Sequence, residues 1–133
     1  SEIPICIEAK EQTDLKLLKK LGESISKNVT EVSSEDRKTL HLAAVFVNNF
    51  VNHMYHISED ILKESNLDFE LLKPLIAETA NKIKGLSPEQ AQTGPAKRND
   101  LKTIENHLHL LKDSPYKKVY KQMTEAIKKE YLE

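Results

Sequence analysis

Four uncharged polar side chains recur along one stretch of the chain: His41, Asn48, Asn52 and Tyr55, at spacings of seven, four and three residues. On an α-helix those spacings put all four on one side. An exposed helix face ordinarily carries charge. Amides, an imidazole and a phenol instead offer donors and acceptors that could orient a substrate in the wall of a cleft. The same set would also suit burial against neighbouring helices or a second subunit, where each group finds a hydrogen-bond partner. Of the four, His41 and Asn48 are the candidates for chemistry.

A second unusual place is Gln92-Thr93-Gly94-Pro95-Ala96-Lys97-Arg98-Asn99-Asp100, where a glycine-proline break and two cations precede a fresh helix start. Backbone donors at a helix N-terminus and an arginine fork suit a carboxylate or phosphate. The competing reading is a turn in which Arg98 pairs with Asp100 or another neighbouring acid. Histidines invite a metal reading, since His53 and His56 lie one turn apart and His107 and His109 are close in sequence. There is no His-Glu-x-x-His pattern and no second cysteine, and positions 107 and 109 point to different sides of a helix, so no zinc site is expected. His107 is expected instead to face the same cleft as His41. Cys6, in an apolar strand, is expected to be inert. The only glycines are Gly22, Gly85 and Gly94, which leaves no phosphate-binding loop, and no serine sits in a nucleophile elbow. Chemistry therefore needs another domain or chain.

The elements that position these residues follow from periodicity and caps. Ile3-Pro4-Ile5-Cys6-Ile7-Glu8 and Asn28-Val29-Thr30-Glu31-Val32 read as strands. Between them Thr13 or Asp14 can cap a helix carrying Leu15, Leu17, Leu18 and Leu21, with Gly22 or Asn28 near its end. Two strands alone are marginal in water, which suggests that residues 1–32 are the tail of a larger parallel sheet or that two copies complete each other. Ser33 or Ser34 caps a long helix to about Ser65, with Glu35 and Asp36 in its first turn. Leu40, Ala44, Val47, Val51, Met54, Ser58 and Ile61 make a packing seam along it. Thr39 to Ser58 holds no Asp, Glu, Lys or Arg, yet three Asn, three His and a Tyr argue against a membrane span and for a helix buried by protein on most sides. Asp68 caps a helix that Pro74 bends or restarts and that stops near Gly85. Ser87-Pro88-Glu89-Gln90 spells a capping box, Asn99 or Asp100 caps a helix through Leu111, and Ser114-Pro115 opens the last.

With 133 residues, one domain of ordinary size is the expectation. Charge is interspersed and sums to -1, so no field of one sign exists to attract nucleic acid. A single cysteine and a start without a signal peptide point to a reducing cytoplasm.

Leu40-His41-Leu42-Ala43-Ala44-Val45-Phe46-Val47-Asn48-Asn49-Phe50, Pro74-Leu75-Ile76-Ala77-Glu78-Thr79 and the Gln92 to Asp100 segment together resemble a known family. It is the uncharacterised helical C-terminal domain that follows a Rossmann-like domain in proteins assigned as NAD(P)-dependent oxidoreductases. The likeness covers nearly the whole chain, and the ordered set of three motifs is more specific than any one of them. It implies a mainly α fold similar to the C-terminal domain of 6-phosphogluconate dehydrogenase. In that fold a long central helix dimerises and helps wall the active-site cleft, preceded here by the small strand-helix-strand unit. Residues 1–32 would close the upstream Rossmann domain, and residues 33–133 would form the all-α dimerisation and substrate domain. The family motif maps onto His41, Asn48, Asn49, Thr93, Gly94, Pro95, Arg98, Asp100 and His107. By this resemblance His41 and Asn48 act in catalysis, Asn49, Thr93, Arg98 and His107 bind substrate, and NAD or NADP is held by the absent upstream domain, not by this chain. Better-known relatives use a lysine with an asparagine one turn on, but here Lys38 is followed by His41-Leu42, so the usual hydroxy-acid dehydrogenase mechanism is not implied. The expected partners are a second copy in a homodimer, the Rossmann domain and a small polar or anionic substrate, with neither nucleic acid nor membrane. The alternative is a non-catalytic helical dimerisation or scaffold module.

Overall fold

The computed structural model describes residues 2–132 of the chain, which divides into two compact units between His56 and Ile57. The first opens with β1 (Ile5–Ile7), α1 (Gln12–Ile25) and β2 (Val29–Glu31). The strands are parallel neighbours, with Ile5 opposite Val29, Cys6 opposite Thr30 and Ile7 opposite Glu31. A parallel pair cannot be joined by a tight turn, and α1 is the crossover that joins this one. A Cβ on Gly22 would lie 3.0 Å from Val29 Cγ1, so the glycine lets α1 close on β2. Gly22 therefore serves contact, not termination: the helix continues past it to Ile25. Its N-cap is Glu11, not Thr13 or Asp14.

Polar contacts finish this unit. Ser26 is 3% exposed. Its hydroxyl donates to the Ile3 carbonyl at 2.6 Å and accepts from the Asn28 N–H at 3.1 Å, tying the approach to β1 to the approach to β2. Just after β1, the Glu8 carboxylate accepts from the Ser34 N–H at 2.9 Å and the Ser34 hydroxyl at 2.5 Å. Those two bonds, with a smaller contribution from the Arg37 guanidinium, hold Glu8 below its usual carboxylate range. The result is a clamp between the strand and the start of the long helix.

That helix runs without a break from Ser34 to Lys63 but is not uniform: α2 (Ser34–Ala44), a π-helical turn (Val45–Phe50) and α3 (Val51–Lys63) follow one another. Ser33 caps it as expected, its hydroxyl accepting from the Asp36 N–H at 3.1 Å. Bonds from i to i+5 take up one more residue per turn than α-helical bonds. At 3.6 residues per turn, one extra residue rotates every later side chain by about 100° against its expected direction. The seam read from the sequence is split accordingly. Val47 is exposed, whereas Val51, Met54 and Ser58 are half-buried.

The expectation that Thr39 to Ser58 is buried on most sides does not hold within this chain. Between Thr39 and His53 only Val45 and Val51 are even half-buried. Phe46 is 59% exposed and Val47 74%. The elements of the chain cover a narrow side of this helix and leave its uncharged remainder bare.

The second unit begins within α3 and adds a 3-10 turn (Phe69–Leu72), α4 (Lys73–Lys82), α5 (Pro88–Ala91), α6 (Leu101–Leu110) and α7 (Lys117–Leu132). Asp68 caps the 3-10 turn through the Glu70 N–H at 2.8 Å, and Pro74 lies in the first turn of α4, where its missing donor costs nothing. Ser87 and Gln90 form the expected reciprocal capping box. Ile57, Ala96 and Ile104 are its buried apolar side chains. Among the described residues no helix is long and apolar enough to cross a membrane.

Ser26→Ala removes the hydroxyl that bonds the Ile3 carbonyl and the Asn28 N–H without adding bulk at this buried position. It is expected to destabilise the chain by about 1–3 kcal/mol. A urea denaturation midpoint equal to the parent's would show that the two bonds contribute nothing.

Candidate functional site

Of the candidate side chains, His41, Asn48 and Asn49 belong to the first unit. His41 lies three residues from the end of α2, and the two asparagines lie in the π-helical turn. All three are exposed, and none makes a side-chain hydrogen bond to the described residues. The extra residue of the π turn separates the expected polar face into two parts. Asn52 and Tyr55, beyond it, are turned by about 100° from the line of His41. Tyr55 is half-buried while His41 stays in solvent. Phe46 and Phe50 stack edge to face at 5.0 Å within the same turn, so aromatic bulk lies next to the amides.

In the second unit, the segment from Thr93 to Asp100 is a compact turn and not an open loop. Gly94 takes φ +108, a backbone region that suits glycine, and Asn99 takes φ 53. The Asp100 N–H donates to the Pro95 carbonyl at 2.9 Å and the Arg98 N–H to the Gly94 carbonyl at 3.3 Å. Ala96 is buried beneath the turn. Lys97 is engaged, its ammonium 4.6 Å from the centre of the Tyr131 ring and 3.4 Å from the Glu89 carbonyl.

Arg98, by contrast, is exposed, and its guanidinium makes no ion pair or hydrogen bond among the described residues. The expected alternative, an Arg98 to Asp100 pair, is not formed. Asp100 is held by Thr103, which gives it an N–H at 3.1 Å and a hydroxyl at 2.7 Å. Those bonds, and then the charges of Arg98 and His107, keep the Asp100 carboxyl below its ordinary value of 3.8. A cation that assists an acid at a distance retains its donors for another anion.

Thr93 lines a groove of about 310 Å³ with Leu75, Thr79 and Lys82 of α4 and Gln92. Two of the three sequence motifs, Pro74 to Thr79 and Gln92 to Asp100, thus meet at one surface. His107 lies two turns from Asp100 along α6, half-buried. Its Nδ1 is 2.8 Å from the Tyr120 hydroxyl, with the rings edge to face at 5.6 Å. Tyr120 was not singled out from the sequence, where α7 shows mainly its apolar positions. The available signal was that three of the four tyrosines fall within residues 116–131. Tyr116, the residue before α7, donates to Asp60 Oδ2 at 2.5 Å, which raises the phenol above its usual 10.0. His53 and His56 lie 6.1 Å apart by ring centres, and among the described residues no group of three or more His, Cys, Asp or Glu is placed to hold a metal ion.

The structure therefore defines a mainly α domain with a two-stranded parallel sheet at its start and two surface groups of uncharged or cationic donors. The chain belongs to the family described as domain of unknown function DUF2520, whose pattern matches residues 3–127. It is similar to the crystal structure of putative NADP oxidoreductase BF3122 from Bacteroides fragilis. That match has 46% identity and a TM-score of 0.90, and covers 96% of this chain and 50% of the other. A second similar structure is protein TM1727 from Thermotoga maritima, at 29% identity and TM-score 0.75, covering 90% of this chain and 49% of that one. The chain thus spans about half the length of the solved proteins it matches. Among curated proteins none matches it.

Because folding lowers the proton affinity of Asp100, its contribution to stability is present above pH 3.8 and is lost as the pH falls through its folded value. Asp100→Ala is therefore expected to melt at lower temperature than the parent at neutral pH, the two converging in acid. Melting curves that stay parallel down to the acid limit would remove this role.

Proposed function

We propose that this chain is the substrate-cleft and dimerisation domain of an NAD(P)-dependent oxidoreductase. The observation that carries the reading is the 46% identity, over nearly all of this chain, to half of the putative NADP oxidoreductase BF3122. The chain does not itself fit the dinucleotide. Its βα turn, Glu8-Ala9-Lys10-Glu11, has no glycine, and Glu8 is committed to Ser34. The cofactor, which supplies or accepts hydride when bound, is then held by a Rossmann-like domain outside residues 1–133. Two features support a continuing sheet. Among the described residues β1 and β2 pair only with each other. A groove of about 370 Å³ also runs beside β1, lined by Ile5, Cys6, Leu18, Leu21 and Ile25, a surface suited to further sheet and helix. Residues 1–32 close that domain and residues 33–133 form the helical one.

Within this reading the substrate is small and polar or anionic. Reducing a carbonyl or oxidising an alcohol requires a proton to be given to or taken from oxygen, a task typically worth 100-fold or more when a side chain is positioned for it. His41, exposed and unpartnered, serves as proton donor or anchor. Asn48 and Asn49 hydrogen-bond the substrate without adding charge, and Arg98, with its fork unpaired, holds an anionic group. In the second unit, Thr93 and His107 are candidate donors alongside Arg98.

The bare apolar surface of the long helix supports the dimer. Leu40, Leu42, Phe46, Val47 and Phe50 are all about half exposed or more. A second copy laid along this helix would bury them. The same observation favours a non-catalytic dimerisation module as the second reading, and the two separate by experiment.

In the full-length protein, His41→Ala is expected to lower turnover of its substrate by about 100-fold or more. Arg98→Ala is expected to raise KM for an anionic substrate. Unchanged kinetics in both variants leaves the module without catalysis. Val47→Glu places a charge on the bare face and is expected to weaken association by about 100-fold or more, since an unpaired buried charge costs several kcal/mol. Light scattering reads the mass, and a variant with the parent's mass would move the interface elsewhere.

A further inference from the structure

We propose that Tyr120 is a positioning residue for His107: its phenol donates to Nδ1, fixing the neutral imidazole with its proton on Nε2 and offering that N–H to a carbonyl or carboxylate oxygen of a bound ligand.

The 2.8 Å separation between His107 Nδ1 and the Tyr120 oxygen admits two directions of donation. Chemistry selects one. A phenol, with an ordinary pKa near 10, is a much stronger proton donor than a neutral imidazole N–H, and the unprotonated ring nitrogen is a better acceptor than a phenol oxygen. With Tyr120 donating, both groups are satisfied by one bond. In the reverse arrangement the Tyr120 proton would find no acceptor among the described residues, where its hydroxyl makes no second hydrogen bond. The edge-to-face ring contact, 84° between planes, restricts rotation of the imidazole about its own axis.

Nε2 is then left for a ligand. No described side chain or carbonyl bonds it, and no unpartnered polar side-chain atom on a residue at least partly buried is sealed from solvent. His107 is such a residue, so its Nε2 reaches the surface as an unused donor. Tyr120 is itself held in place. The start of α7 is pinned to α3 by the Tyr116 to Asp60 bond, and the Tyr120 N–H donates to the Tyr116 carbonyl at 3.0 Å. One phenol thus fixes where α7 starts, and the next, one turn on, fixes the imidazole.

The ligand half of this proposal rests on the reading of the domain as a substrate-cleft wall; the tautomer does not. The test uses full-length protein labelled with 15N-histidine, observed through two-bond proton-nitrogen correlations at mildly alkaline pH, with His107→Gln assigning the signal. The expected result is a pyrrole-like Nε2 and a pyridine-like Nδ1 drawn upfield by the bond it accepts. Tyr120→Phe, which removes one oxygen, is expected to move Nδ1 downfield towards a free pyridine-like nitrogen. A proton found on Nδ1 in the parent, or an Nδ1 signal unmoved in the variant, overturns the positioning role. Titration with acetate, as a carboxylate probe, is expected to shift Nε2 saturably in the parent and less in Tyr120→Phe. An unmoved Nε2 overturns the ligand half. Full turnover in His107→Gln would count against the cleft reading while leaving the tautomer result standing.

Discussion

Hydrogen bonds that reach five residues instead of four, over Val45 to Phe50, decide where half of the long helix points. A straight α-helix would carry His41, Asn48, Asn52 and Tyr55 on one line and a seven-membered apolar seam on another. The π turn breaks both lines at the same place. Before it, His41 stands in solvent. After it, Val51, Met54 and Tyr55 turn towards protein and Ile57 becomes buried. A π turn forfeits good hydrogen-bond geometry, so it persists where the redirected side chains gain more than the backbone loses. Here the gain is a helix that can pack on its own chain through one half and present amides and aromatic rings through the other.

That division explains the uncharged stretch in the middle of the chain. A sequence that omits Asp, Glu, Lys and Arg from Thr39 to Ser58 leaves this length of helix without a charged side chain. Within one chain the surface is bare, with Phe46 and Val47 among the most exposed apolar side chains. The amides of Asn48 and Asn49 sit beside these rings. An interface core is typically depleted of charge but tolerant of aromatic and amide groups.

The parts legible in the sequence are those that a few adjacent residues determine. The capping box at Ser87 and Gln90, the caps at Ser33, Asp68 and Asp100, the restart at Pro74 and the two short strands each depend on neighbours within a turn, and each is found. The kink in register was not legible, because the residues Val45 to Phe50 have no proline or glycine and fit an α-helix as well as a π turn. Gly22 lies near the end of its helix, as expected, but its role there was not legible for a related reason. Its lack of a side chain matters to Val29, seven residues away across a turn, and not to its own helix. Among the candidate site residues, His41, Asn48 and Arg98 are exposed. The partner of His107 lay thirteen residues downstream on another helix, beyond any local pattern.

The second unit has few buried apolar side chains, and polar contacts between its helices accordingly carry more of the burden of orientation. Hydrophobic contact is non-directional: Ile57 and Ile104 favour closeness but tolerate rotation about a helix axis. A phenol bonded to a carboxylate does not tolerate it, because a shift of an ångström or so loses the bond. Tyr116 on Asp60, Tyr120 on His107 and Lys97 over Tyr131 fix α7 against α3, α6 and the Thr93 to Asp100 turn in three separate places. Each contact involves α7 or the residue just before it. The last helix is thus the element that sets the direction of His107 and steadies the turn bearing Arg98, although it supplies none of the motif residues itself. Substitutions on α7 should for that reason be felt at His107 and Arg98 before they are felt in the strand-helix-strand unit.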